Sequence, residues 1–182
     1  MIYWLANYLI PYWGPFRLLQ SHALLLAGGT FTAALLVWLR DDFVDWMEAA
    51  ARTRFVVSRI DVVVPMPSTL LHRIDRGYNQ CDCLARALAK RLGRPYDARA
   101  LRRVGSPRRQ GGLSEEERRT NVVGTFACRR SFARGESGEG ATVFVVDDIM
   151  TTGSTLSECA RELKRAGAAR VWCLALARSL RT

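Results

Sequence analysis

Cysteine is sparse in this sequence and never occurs as a Cys-x-x-Cys pair. The chain of 182 residues holds five cysteines. Cys81 and Cys83 fall in a predicted helix, where residues two apart point about 200° away from each other, so they cannot easily share a metal. An odd number of cysteines without metal-ligand spacing indicates a reducing, cytoplasmic setting. The sequence therefore predicts a cytoplasmic protein without a zinc site.

Common nucleotide-binding motifs are also missing from the segment Thr151 to Thr155, although it contains hydroxyls and a glycine. The segment has no lysine, so it does not match the GxxxxGK[ST] motif of nucleoside triphosphatases. It also lacks the GxGxxG motif of dinucleotide-binding domains. A loop without lysine suits one terminal phosphate better than a triphosphate.

Charge is absent from a long apolar stretch near the N-terminus. Leu18 to Leu39 carries no formal charge when His22 is neutral, and about 20 such residues can span a bilayer. Polar residues lower the hydropathy of the stretch, and Gly28 and Gly29 interrupt any helix in it. A small-residue cleavage pattern is absent, which argues against a signal peptide. These features favour a buried helical cap over a membrane anchor, and both interpretations stay open.

Positive charge dominates the composition. The chain has 27 Lys and Arg against 17 Asp and Glu, a net charge of +10 and a pI near 10.1. Such a balance favours phosphate-rich ligands, nucleic acid or an anionic membrane face, although a solvated arginine-rich surface explains it equally well. With 49% hydrophobic and 24% charged residues, the chain is globular rather than disordered.

The hydrophobic pattern predicts an α/β domain with a parallel sheet. Ile60 to Val64 is an apolar β-branched run halted by Pro65, which is typical of a strand buried on both faces. Later, strand Val143 to Val146, a helix from about Ser154 to Ala166 and strand Val171 to Ala177 follow in βαβ order.

Helix boundaries and faces are predicted from the spacing of apolar residues. One helix follows the candidate N-cap Asn79 and ends at Gly93, with Leu84, Leu88 and Leu92 on its apolar face. In the last helix, Leu156, Ala160 and Leu163 are predicted to face the core. Glu158, Arg161, Glu162 and Arg165 are predicted to face away from it. Gly167 is predicted to stop that helix, and Thr120 to Arg129 is predicted to be a strand.

An acid pair and a hydroxyl-rich loop follow the strand Val143 to Val146. Ligands of open parallel sheets bind beyond the carboxyl ends of the strands, where Asp147 and Asp148 are predicted to lie. Free N–H groups and the dipole of the next helix make Thr151 to Thr155 a candidate anion cradle. Because paired carboxylates can accept hydrogen bonds from neighbouring hydroxyls, the predicted ligand is a ribose 5-phosphate moiety. Alternatively, the acid pair only caps the strand and the helix.

The stretch VFVVDDIMTTGST, Val143 to Thr155, resembles the phosphoribosyl-pyrophosphate (PRPP) signature of type I phosphoribosyltransferases. The further motifs VVVPMPS, RGYNQ, RRQGGLSEEERRTNVVGTF and CLALAR resemble the ComF family. That family is associated with competence for DNA uptake and is often described as amidophosphoribosyltransferase-like. The resemblance covers about Ile60 to Arg178. It implies a type I phosphoribosyltransferase-like α/β fold, with a parallel sheet flanked by helices and an N-terminal hood.

The resemblance also implies a role for each part of the site. Asp147 and Asp148 would hold the ribose hydroxyls and, as metal ligands, a Mg²⁺ ion. The 5-phosphate would be bound by Thr151, Thr152, Gly153, Ser154 and Thr155. The pyrophosphate loop, where family members often carry a strained peptide, would be formed by Pro65, Met66, Pro67 and Ser68.

Arginines complete the predicted reaction site, because departing pyrophosphate develops negative charge that cations must stabilise. The candidate catalytic residues are Arg76, Arg108 and Arg109, with Arg73 as a further candidate. The segment from Arg108 to Arg119 corresponds to the family's flexible loop, which closes over the reacting centre. Thr151 stands where purine-salvage relatives have an aspartate base, so the acceptor stays unidentified.

Residues 1–55 are predicted to form an apolar hood or cap, and residues 56–182 a phosphoribosyltransferase-like domain. ComF proteins usually begin with a cysteine-rich zinc module, whereas the first cysteine here is Cys81. The N-terminal segment could therefore be a hood, a surface of a homodimer or a membrane anchor, and a hood is favoured.

Two functional hypotheses follow. The leading one is a Mg²⁺-dependent phosphoribosyltransferase that binds PRPP and transfers its phosphoribosyl group to an unknown acceptor. The alternative is a non-catalytic accessory protein of the competence machinery that binds PRPP or single-stranded DNA. The sequence lacks the interleaved basic and aromatic residues that are usual in general single-strand binding.

Overall fold

A three-stranded parallel sheet organises the protein. The structure is a computed structural model and describes residues 40–67, 79–105, 123–135 and 139–178. The elements, numbered here in chain order, are α1 (Arg40–Arg54), β1 (Val62–Pro65), α2 (Gln80–Leu92), β2 (Leu101–Arg103), β3 (Phe126–Cys128), β4 (Thr142–Met150), α3 (Ser154–Arg165) and β5 (Arg170–Arg178). A single 3-10 turn, Val57–Arg59, precedes β1.

β4 is the central strand of the sheet, whose order is β1-β4-β5 with all strands parallel. β1 pairs with β4 from Val62 opposite Val143 to Pro65 opposite Val146. The β4–β5 ladder continues further, to Met150 opposite Arg178. The sheet therefore has three strands over its first part and two beyond Val146.

Successive side chains of the sheet enter two different core layers, as the alternation of a β-strand requires. Val64 and Val145 pack with Leu156 and Leu163 of α3 on one face. The alternate residues pack on the other face with α1 and α2; among these buried side chains are Val63, Phe144, Val146, Phe43, Met47, Leu84 and Leu88. Helices therefore cover both faces of a parallel sheet, and the predicted α/β class is confirmed.

Helix α1 belongs to the core that α2 and the sheet share. Its residues Phe43, Val44, Met47 and Ala51 are buried in that layer, and the Phe55 ring that follows it lies 5.1 Å from the Phe144 ring. The predicted boundary between residues 55 and 56 stays a prediction, and the apolar stretch of residues 18–39 lies outside the described residues. Of the helices that the structure describes, none has both the length and the apolar character needed to cross a bilayer.

Most predicted elements occur close to their expected positions. α2 follows Asn79 and ends at Gly93, whose φ of 64° is left-handed. β4 and α3 begin within one residue of their predicted starts. The strand predicted at Thr120 to Arg129 is confirmed only at Phe126–Cys128, because Val123 and Gly124 form a turn.

The prediction that Glu158 faces away from the core is wrong. Its side chain is buried, with a residue exposure of 5%. The reason is a distant partner: the Glu158 carboxylate accepts a hydrogen bond from the Gly124 N–H at 2.7 Å. Arg161 on the next turn of α3 supplies the compensating charge through a hydrogen bond from its Nε to Glu158 Oε2, at 2.8 Å.

The glycines after α2 and α3 provide a matched test of the fold. Both have positive φ, 64° at Gly93 and 97° at Gly167, so a side chain at either costs about 1–2 kcal/mol. A Cβ at Gly93 would meet nothing within 4 Å, whereas a Cβ at Gly167 would lie 2.9 Å from Ala133 Cα and N. Urea unfolding should show that Gly167→Ala is more destabilised than Gly93→Ala, by roughly 1–3 kcal/mol from overpacking. Equal losses would contradict the packing of Ala133 against the end of α3.

Candidate functional site

The acid pair lies where the sheet narrows from three strands to two. Pro65, the last residue of β1, pairs with Val146 of β4, so Asp147 is the first residue of β4 beyond β1. Asp147 still pairs with Ala175 of β5. Its residue exposure is 7%, while Asp148 is half-buried. The Asp148 N–H donates to Asp147 Oδ1 at 3.0 Å, and the Ile149 N–H donates to Asp148 Oδ1 at 2.7 Å. The two carboxylates are thus held by their own backbone and not by an arginine or lysine of the described chain.

Cys81 in the first turn of α2 provides a further contact to the acid pair. Its Sγ donates to Asp147 Oδ1 at 3.4 Å. Burial, and then the charges of Asp148 and Asp147, raise the pKa of the Cys81 thiol. The thiol therefore stays protonated at neutral pH and acts as a weak hydrogen-bond donor rather than as a nucleophile.

Burial, and then the negative charge of Asp148, raise the pKa of Asp147 to about 7. Hydrogen bonds from Cys81 and from the Asp148 backbone act in the opposite direction without cancelling that rise. A carboxyl group with such a pKa needs a nearby positive charge to be fully ionised at neutral pH. The site is therefore suited to a cationic ligand or to hydroxyl donors.

The donor atoms of the acid pair fit a Mg²⁺ ion. Cys81 Sγ and one carboxylate oxygen each from Asp147 and Asp148 all lie within 4.8 Å of one another. Mg²⁺ prefers oxygen ligands and usually binds through one or two carboxylates, retaining several waters. A protonated thiol is a poor ligand for so hard an ion, so the two aspartates are the residues that would hold it.

The candidate pyrophosphate loop is fixed beside the acid pair. The Met66 N–H donates to the carbonyl of Val146, the residue before Asp147, at 2.8 Å. The Met66 carbonyl accepts a hydrogen bond from Asn79 Nδ2 at 3.1 Å. No peptide bond among the described residues is cis and only glycines have positive φ, so the implied strained peptide is not found within Pro65 to Pro67.

The hydroxyl-rich loop follows β4 directly and opens into α3. Gly153 has a φ of 81° at the N-cap and provides no side-chain cap. The Ser154 N–H donates to Thr152 Oγ1 at 3.4 Å, and the other N–H groups of the first turn lack an intrahelical acceptor and suit an anion. Thr151 and Thr152 are exposed, and Thr152 Oγ1 lies 2.9 Å from Ser154 Oγ. Because the loop is continuous with β4, the acid pair and the candidate phosphate loop lie at the same end of the sheet.

The predicted residues differ in whether the structure describes them. The acid pair, the segment Pro65 to Pro67 and the segment Thr151 to Thr155 are described, and their ligand-binding roles stay predictions. The remaining site candidates, Ser68, Arg73, Arg76, Arg108 and Arg109, lie outside the described residues.

Sequence reasoning missed Cys81, Asn79 and Glu158 as parts of the site. Cys81 precedes Leu84, Ala85 and Leu88 on the buried face of α2, and this spacing could have indicated that its thiol points inward. Asn79 was predicted only as a helix cap, yet its amide holds Met66. For Glu158 no local signal exists, because its partner Gly124 is distant in sequence.

Glu158 connects α3 to the turn that precedes β3. Burial opposes ionisation, but hydrogen bonds from Arg161 and the Gly124 N–H outweigh it, and the pKa of the Glu158 carboxyl is lowered. Gly124 lies two residues after the segment 106–122, which contains the candidate arginines and lies outside the described residues. The phosphate-loop helix thus holds the chain where that segment ends.

Comparisons of the sequence with known proteins identify a domain family and several relatives. Residues 80–182 match the phosphoribosyl transferase domain family. The chain is 36% identical over 116 residues to the DNA utilization protein YhgH of Salmonella typhi, covering 63% of this chain and 48% of that protein. It is 33% identical over 119 residues to competence protein F of Haemophilus influenzae, covering 65% and 51%. The chain thus spans about half the length of these curated relatives, and the resemblance to ComF-type sequences is confirmed.

Solved structures overlap with the chain less closely. The glutamine PRPP amidotransferase from B. subtilis, complexed with ADP and GMP, is 22% identical. The overlap has a TM-score of 0.47 and covers 75% of this chain and 26% of that one. The assignment to a family rests on the sequence match.

Substitution of Asp147 should change how stability depends on pH. The pKa of Asp147, about 7 in the folded chain, lies above its ordinary value of 3.8. The proton on Asp147 stabilises the folded chain fully below pH 4. This stabilisation is lost as pH rises through 7, because the unfolded chain releases the proton at a lower pH than the folded chain does. Asp147→Asn without ligand should therefore equal the wild type near pH 4 and exceed it at pH 8, by at most about 4 kcal/mol.

Chemical unfolding from pH 4 to pH 8 measures this difference, with the exposed Asp42→Asn as the control. The control should run parallel to the wild type over the whole range. A constant offset between Asp147→Asn and the wild type would contradict the burial of an ionisable group at residue 147.

Proposed function

Because the chain belongs to the phosphoribosyl transferase domain family, we propose that it is a Mg²⁺-dependent phosphoribosyltransferase that binds PRPP. The observation that carries the proposal is the convergence of three elements at one end of the sheet. The acid pair extends β4, Met66 is bonded to the carbonyl before Asp147, and the uncapped start of α3 follows β4. One ligand with a sugar diol and phosphates on both sides would engage all three.

Each element would have a defined task. The carboxylates of Asp147 and Asp148 would accept hydrogen bonds from the ribose hydroxyls, and they must be ionised to accept fully. The N–H groups and hydroxyls of Thr151 to Thr155 would bind the 5-phosphate, which the positive end of the α3 dipole stabilises. The segment Pro65 to Ser68 would bind the pyrophosphate through its backbone.

A bound Mg²⁺ ion would supply charge neutralisation between the ribose and pyrophosphate oxygens. Asp147 and Asp148 are the described residues that would hold it, and Cys81 would orient the Asp147 oxygen that faces α2. The roles of Arg76, Arg108 and Arg109 rest on the sequence alone. They would stabilise the pyrophosphate as the bond to C1 of the ribose breaks.

PRPP together with Mg²⁺ should raise the melting temperature of the wild type. A ligand that binds only the folded state stabilises it by mass action, by about 3 kcal/mol at a hundredfold excess over Kd. Asp148→Asn should lose most of the shift while remaining folded, because the half-buried residue can be replaced by its isostere. Asp42→Asn on α1 should keep the full shift. If neither PRPP nor ribose 5-phosphate shifts the wild type with millimolar Mg²⁺, the proposed ligand is wrong.

Turnover separates an enzyme from a binding protein. PRPP consumption would be measured against bases, ammonia, glutamine and DNA as acceptors. Arg109→Ala should leave PRPP affinity within a few-fold yet slow turnover by roughly 10²-fold, the usual loss for a transition-state donor. Arg40→Ala, far from the site in sequence and on α1, should turn over at the wild-type rate. Wild-type protein that binds PRPP without consuming it would favour the accessory-protein hypothesis.

A further inference from the structure

The edge of the sheet opposite the acid pair is rich in exposed arginine. The amino-terminal ends of β1, β4 and β5 lie there, together with the carboxyl end of α3. We call this surface the arginine edge and define it by exposed residues of the described chain: Arg59, Arg99, Arg129, Arg134 and Arg170.

Three of these arginines lie in chain segments that meet at the junction between β1 and β4. The Asp61 N–H donates to the Thr142 carbonyl at 3.0 Å, and the Thr142 N–H donates to Asp61 Oδ2 at 2.6 Å. Arg59 precedes this junction by two residues, and Arg170 is the β5 partner of Thr142. Arg134 adjoins Gly135, where a Cβ would lie 3.0 Å from Asp61 Oδ2.

The other two arginines lie on neighbouring chain segments. The Arg129 N–H donates to the Ala100 carbonyl at 2.9 Å, so Arg129 lies opposite the residue that follows Arg99. Phe132 joins this pair to the first group. Its N–H donates to the Ala166 carbonyl at 2.7 Å, and its carbonyl accepts from the Ala141 N–H at 2.8 Å. The backbone of Phe132 therefore connects the segment of Arg129 to the segment that leads into β4.

The five arginines that define the edge outnumber the described carboxylates of the same segments, which are Asp61, Asp97 and Glu139. Asp97 already pairs with Arg130 at 3.3 Å and accepts the Arg99 backbone N–H at 2.8 Å. Asp61 accepts the Thr142 N–H, and Glu139 forms no ion pair with a described residue. None of the arginines that define the edge has an ion pair within the part of the chain that the structure describes. Such a concentration of one charge attracts a polyanion.

We propose that the arginine edge binds the phosphodiester backbone of nucleic acid. Guanidinium groups match phosphate oxygens in a bidentate geometry and also stack on bases. A membrane surface would call for exposed apolar anchors beside the cations. Near this edge, the described residues include a single exposed large apolar side chain, that of Val56. The acid pair lies at the other end of the strands, so nucleic acid and a small phosphorylated ligand can bind together.

Salt-dependent binding tests the proposal in the full chain. Fluorescence anisotropy would follow labelled single-stranded and duplex DNA, titrated at several salt concentrations, with Arg134→Gln/Arg170→Gln as the test variant. Loss of two phosphate contacts should lower the slope of log K against log salt by about 1.4 on the single strand. Near 0.15 M salt the affinity should fall about tenfold.

Two control variants test whether the loss of affinity depends on where the charge is removed and on the charge itself. Arg40→Gln/Arg86→Gln removes the same charge from α1 and α2, where each arginine already pairs with an aspartate, and should change the slope little. Arg134→Lys/Arg170→Lys keeps the charge and should keep the slope. All variants should melt near the wild-type temperature and keep any melting shift caused by Mg²⁺ and PRPP, so this test is independent of the proposed enzyme activity.

Three outcomes would overturn the proposal. The first is wild-type protein that binds neither DNA form at low salt. The second is an equal loss of affinity in the edge and control double variants, which would reduce the effect to net charge. The third is binding to vesicles containing anionic phospholipid without binding to DNA, which would make the surface a membrane contact. Binding to either DNA form with a loss specific to the edge variant supports it.

Discussion

The candidate site depends on the pairing of β4 along both of its edges. β4 bonds to β1 on one side and to β5 on the other, and its residues from Thr142 to Asp147 are buried. Since β1 ends at Pro65 opposite Val146, Asp147 is the first residue past the three-stranded part. A slip of one residue would bring Asp147 opposite Pro65 and into the dry core, where a carboxylate is costly. The place of the acid pair is thus a consequence of strand register and not of loop structure.

The sheet separates charge along its strands. At one end two carboxylates lie together without an arginine or lysine partner in the described chain, and burial keeps the pKa of one of them near neutrality. At the other end exposed arginines collect around the junction of Asp61 with Thr142. The parallel arrangement produces this separation, because each strand contributes its first residues to one edge and its last residues to the other. The two ends therefore suit ligands of different size and chemistry.

Much of this arrangement could be predicted from the sequence, because it depends on local patterns. The apolar run before Asp147 predicts a buried strand, and the spacing of Leu156, Ala160 and Leu163 predicts the buried face of α3. The short strand β2, Leu101–Arg103, was not predicted, because two of its three residues are charged and its partner β3 is distant in sequence. For the same reason the contact of Cys81 was missed and the orientation of Glu158 was predicted wrongly. What each of them contacts depends on chain segments that no local pattern connects.

The buried contact of Glu158 also constrains how the sequence can change over time. Its carboxylate serves the Gly124 amide and the Arg161 guanidinium at once, so a shorter aspartate would have to abandon one of them. Loss of Arg161 would leave a buried acid without its counter-charge, and a side chain at Gly124 would have to adopt a φ of 74°. Replacement of Glu158 or Arg161 alone therefore costs stability, and replacement of Gly124 strains the turn that Glu158 holds. During evolution, α3 and the turn before β3 would therefore be constrained together, although they are distant in sequence.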